Sequence, residues 1–101
     1  MDMRIDYQHN LAQEKTYQRI SNLLLDLQRK YAGEIKNPES SWNSEHTRMD
    51  YSVEIMGFKV NWQITLKNGL VSLEGEIPFM ARIFSEEIEK GVRKKLEEIL
   101  S

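Results

Sequence analysis

The chain has 101 residues, 40% hydrophobic and 30% charged, with 14 basic and 16 acidic side chains giving a net charge of −2. That size and balance fit one folded domain, residues 1–101, and argue against a disordered tail. The acidic balance also argues against a nucleic-acid binder, which needs a basic face for phosphate.

With no cysteine, the chain has no disulfide, thiolate nucleophile or cysteine zinc site, and a reducing compartment suits it. The opening MDMRIDYQHN lacks the apolar run of a signal peptide. Every apolar run falls far short of the ~20 residues that span a bilayer. A cytoplasmic protein with no membrane span is expected.

Residues 1–7 alternate, with Met1, Met3, Ile5 and Tyr7 against Asp2, Arg4 and Asp6, which predicts a half-buried strand. Asn10 is expected to cap the first helix, with Gln13 completing a capping box. That helix runs to about Tyr31, where Gly33 is expected to supply a left-handed cap. Ile20, Leu23, Leu24 and Leu27 share its apolar face, and Leu25 is the one apolar residue on the polar side. Residues 34–46, broken by Asn-Pro and Ser-Ser, read as a loop or ragged edge with a short strand around Trp42.

From Thr47 the alternation is strict. Thr47–Ile55, Phe58–Leu66 and Leu70–Ile77 predict three strands joined by tight turns at Met56-Gly57 and Asn68-Gly69, the latter expected as type I′. Two-residue loops set the register. Leu66 then pairs with Val71, Ile64 with Leu73, Trp62 with Gly75 and Val60 with Ile77. Ile55 pairs with Phe58, Val53 with Val60, Tyr51 with Trp62 and Met49 with Ile64. Inward residues meet inward residues throughout, as one buried face demands.

Pro78 ends the strands, and Phe79–Leu100 reads as a second helix. Glu86, Glu87 and Glu89 precede Lys90, Arg93, Lys94 and Lys95, an order that suits the helix dipole and intrahelical ion pairs. Met80, Ala81, Phe84, Ile88, Val92 and Ile99 form its expected buried stripe. The fold class is therefore α+β: a two-layer β-α-β-β-β-α sandwich, with two long helices on one face of a mainly antiparallel, four-stranded sheet.

No phosphate-binding glycine loop, dinucleotide fingerprint, nucleophile elbow or HExxH helix occurs. His9 and His46 are the only imidazoles, too few to predict a metal centre, and no cofactor or catalytic group is expected. Phe79 and Ile83 fall off the buried stripe. They either wedge into a sheet corner or, joined by Leu25, form an apolar patch that meets a partner; packing is the simpler reading. Trp42, in a polar stretch, either folds over the end of the core or marks an interaction site. Phe79, Ile83, Leu25 and Trp42 are thus the candidate interaction residues.

Several features carry a family resemblance. They are the strand Ile5 to His9, the Leu11-Ala12 helix start, Tyr31, Gly33, Trp42, the hairpin with Gly57, and the ending IPFMARIFSEEIEKGVRKKLEEIL. In this order they resemble the small polyhydroxyalkanoic acid system family proteins, encoded near genes for bacterial polyester storage granules. The resemblance spans nearly the whole chain. It implies a bacterial cytoplasmic protein linked to granules, with the granule surface or granule-associated enzymes as partners, and brings no catalytic residues. A non-enzymatic accessory protein is the first expectation. A small apolar-ligand binder of the helix-grip type is the alternative, discriminated by whether Trp62, Tyr51, Phe58 and Phe84 fill the interior. A homodimer is a further use for the patch.

Overall fold

The computed structural model describes residues 2–55 and 57–101, without the side chains of Asp2, Phe79 and Met80. The expected inward place of Met1, the Met56 half of the first tight turn and the burial of Met80 lie outside the described residues. The elements are β1 (Asp2–Gln8), α1 (Gln13–Lys30), β2 (Ile35–Trp42), β3 (Arg48–Ile55), β4 (Phe58–Lys67), β5 (Leu70–Glu76), a 3₁₀ turn (Phe79–Phe84) and α2 (Ser85–Leu100).

The strands form one antiparallel sheet in the order β1-β5-β4-β3-β2. It is five-stranded rather than four-stranded. The extra member is β2, at the edge, a full strand where a loop or ragged edge with a short strand around Trp42 was expected. Pro38 cannot donate to a ladder, but an edge strand tolerates it at a bulge. The register slips between Lys36 and Glu39, with Asn37 at φ 49° and its amide donating to Glu54 at 2.9 Å. Because β1 and β2 occupy opposite edges, α1 carries the chain across the apolar face and packs on central β4.

The expected hairpin registers hold: Ile64 faces Leu73, Trp62 faces Gly75, and Tyr51 faces Trp62. Val60 with Ile77 does not, because β5 ends at Glu76 ahead of Pro78. The Asn68-Gly69 turn has positive φ at Gly69 (78°) but not at Asn68, so it is not type I′. The His9 N–H donates to the Gly69 carbonyl at 2.9 Å and ties β1 to this turn.

Both helix ends differ from expectation. Ala12, not Asn10, precedes α1, and no side chain caps it. The Leu11 N–H donates to His9 Nδ1 at 3.1 Å, while the Gln13 amide reaches across to the carbonyls of Glu45 and His46. Gly33 does not take the left-handed conformation. The helix closes instead on Tyr31, whose N–H bonds the Leu27 carbonyl.

The core lies between the sheet's inner face and the helices. Ile5, Met49, Ile64, Leu66 and Val71 form its floor, and Ile20, Leu96 and Leu100 its roof. Thr16 is buried with its hydroxyl donating to the Ala12 carbonyl at 3.0 Å. The sheet's outer face is wet. Arg4 pairs with Glu74 at 3.4 Å, Arg48 with Asp50 at 3.8 Å, and Gln63 donates to Asp50 at 3.2 Å.

Candidate functional site

Burial changes along both helices in the same direction. The N-terminal half of α1 and the C-terminal half of α2 are sealed: Thr16 is 1% exposed, Ile20 2%, Leu96 1% and Leu100 2%. Arg19 closes this end by donating from Nη1 to the Ile99 carbonyl at 2.6 Å. Towards the other end, Leu24 and Leu27 of α1 and Ile88 and Val92 of α2 are only half-buried. The helices run antiparallel, so their fully buried positions lie towards one end and their half-buried ones towards the other.

The less buried end holds an apolar cleft of about 330 Å³. Leu24, Leu27, Ile88 and Val92 wall it, and inner-face residues such as Val53 and Trp62 floor it. Glu76 also borders the cleft, but its carboxylate accepts from Asn61 on the wet face at 3.4 Å.

Two aromatics expected to fill the interior do not. Phe58 is 48% exposed and Phe84 54%. Phe84 was expected in the buried stripe of a continuous helix. The chain instead takes a 3₁₀ turn over Phe79–Phe84, which advances about 20° more per residue than an α-helix. Phe84 closes that turn at φ −102°, ψ 14°, directly ahead of α2, and its side chain is exposed rather than continuing the stripe of Ile88 and Val92.

The candidate interaction residues separate. Ile83 is 82% exposed and does not wedge into the sheet corner. The Phe79 side chain lies outside the described residues. Leu25 is half exposed on α1, outside the cleft lining to which its neighbour Leu24 contributes. Trp42 is half-buried and meets the Tyr17 ring edge-on at 4.8 Å, while Tyr17 stacks on His46 at 3.9 Å. It folds over the end of the core. That cluster was hidden from the sequence because its members come from α1, β2 and the loop after β2. Their one local signal was the polar setting of Trp42.

The two histidines do not converge with carboxylates as ligands. Among the described residues no three His, Asp or Glu side chains stand together as a metal set. His9 accepts the Leu11 N–H, and burial pushes its imidazole below the usual 6.5. On the wet face, the Ser72 hydrogen bond leads the lowering of the Asp6 carboxyl, with Arg4 and Arg93 adding to it. No helix among the described residues is long and apolar enough to cross a membrane.

The arrangement therefore offers an apolar cleft and an apolar turn beside it. A search of curated proteins returned no match to the chain. The match that does arise covers residues 3–100, nearly every element described above, and by it the chain belongs to the family of putative polyhydroxyalkanoic acid system proteins.

Proposed function

We propose that this protein is a non-enzymatic accessory of the polyester-granule system, working in the cytoplasm and seated on the granule by its 3₁₀ turn. The exposure of Ile83 and Phe84, 82% and 54%, supports this reading. Large apolar side chains are worth about 1.5–3 kcal/mol each when taken out of water, and an aliphatic polyester surface removes them from it. Phe79, at the start of the same turn, joins the contact in this proposal.

The test is to express a tagged copy in a polymer-accumulating bacterium and ask whether it pellets with washed granules. The wild type is expected to pellet. An Ile83→Ser/Phe84→Ser variant is expected to stay in the supernatant with an unchanged urea midpoint, since exposed positions contribute little to stability. A folded variant that pellets like the wild type defeats the proposal. Pelleting that is lost when granule proteins are stripped first moves the contact from polymer to a granule enzyme.

A further inference from the structure

We propose that the cleft between α1 and α2 is a binding site for one aliphatic acyl chain, held as an ester and not as a free carboxylate. Three observations carry this. The first is incomplete closure. A core built only for stability seals its apolar positions, yet Leu24, Leu27, Ile88 and Val92 stay half-buried around a space of about 330 Å³ that no described side chain fills. That is within the size range of small-molecule sites. At roughly 30 Å³ for each water-sized group, it accommodates about ten methylene-sized groups.

The second observation is the lining. It is aliphatic apart from Tyr51, Trp62 and Glu76, and it includes no lysine, arginine or histidine. A carboxylate entering the cleft meets no cation, and its desolvation goes uncompensated. An uncharged chain avoids that penalty.

The third is a polar handle. The Tyr51 hydroxyl accepts from Gln28 Nε2 at 3.1 Å, which leaves its own proton to donate. An ester carbonyl at the β3 side of the cleft is a matching acceptor. The aliphatic chain follows from geometry alone. The ester rests in part on the granule reading above, because the family's polymer is a polyester.

The experiment titrates purified protein with methyl decanoate, sodium decanoate and methyl butyrate. Trp62 fluorescence is followed in a Trp42→Phe background, and methyl chemical shifts are followed in the wild type. Saturable binding of methyl decanoate is expected, with perturbed methyls at Leu24, Leu27, Ile88 and Val92. Methyl butyrate is expected to bind at least on the order of a thousandfold more weakly, having six fewer methylenes to bury.

Val92→Phe, which occupies the cleft, is expected to weaken methyl decanoate binding about tenfold or more. Should that variant fail to fold, the wild-type methyl map decides alone. Absence of saturable binding, or shifts lying elsewhere, overturns the site, and decanoate binding as tightly as its ester overturns the ester assignment. The Ile83→Ser/Phe84→Ser variant separates the two proposals. It is expected to lose granules and keep methyl decanoate.

Discussion

The indole of Trp62 lies across Gly75, its cross-strand partner, so closely that a Cβ at position 75 would overlap the ring and approach the Asn61 carbonyl. The pair joins the core to the cleft, since Trp62 is part of the cleft floor and Gly75 fixes where its ring rests. Gly75→Ala is expected to destabilise the fold by about 1–3 kcal/mol, the usual cost of overpacking a site that must shift backbone or ring. Gly91, in exposed α2 with open space where a Cβ would stand, supplies the control. Gly91→Ala is expected to stabilise by about 0.4–1 kcal/mol. Urea midpoints of the two variants, moving in opposite directions, check both.

Trp42 tests whether a candidate interaction residue is instead structural. Its edge-on contact with Tyr17, and the stack of Tyr17 on His46, hold the loop after β2 against α1. Trp42→Ala removes a half-buried ring and one aromatic pair. It is expected to cost about 2–4 kcal/mol, below the full range for a completely buried Trp. Granule pelleting of the folded fraction is expected to be unchanged. A variant of normal stability that no longer pellets would return Trp42 to the interaction surface.

The contrast between Trp62 and Trp42 shows what the sequence made legible. The register around Trp62 follows from strict alternation and two short turns, because a one-residue slip would turn every inward side chain to solvent. Nothing comparable marks β2. Asn37, Pro38 and the Ser40-Ser41 pair have loop chemistry, and only the ladder with β3 makes them a strand. The site was less legible still. Residues FMARIF fit an α-helix as well as a 3₁₀ turn, a choice that hydrophobic pattern does not encode. Ile83 was placed off the stripe correctly, but its wedge into a sheet corner did not follow.

His9 gives stability a pH dependence. Its folded-state pKa is depressed by burial, and its Nδ1 must stay unprotonated to accept the Leu11 N–H. Among the described residues its buried Nε2 has no partner. Above about pH 6.5 the imidazole is neutral in both folded and unfolded chains and contributes no slope. As pH falls below that value the unfolded chain binds the proton first. Stability then declines until the pH passes the folded pKa. The depressed Asp6 carboxyl acts in a separate window, losing its contribution only as pH falls below 3.8 towards its lowered folded value. Urea midpoints from about pH 7.5 to about pH 5 are expected to fall more steeply for the wild type than for His9→Asn. Parallel curves would remove His9 as the source.

Arg19 clasps α1 to the last turn of α2. Its guanidinium donates to the Ile99 carbonyl in the last turn of α2 at 2.6 Å, where unsatisfied carbonyls and the negative end of the helix dipole favour a cation. Among the described residues it joins the two helices at the end where Ile20, Leu96 and Leu100 are fully buried. Arg19→Met keeps the apolar stem and removes the donor. It is expected to cost about 1–2 kcal/mol, in the range of a hydrogen bond to a charged group that is partly open to water. The loss is expected to appear as faster amide exchange in the last turn of α2, with β3 and β4 unchanged, because the sheet ladder does not depend on this bond. If this clasp governs the cleft, the same variant changes methyl decanoate affinity while Gly91→Ala does not. Unchanged affinity together with lost α2 protection would separate the clasp from the cleft and leave Arg19 a purely local cap.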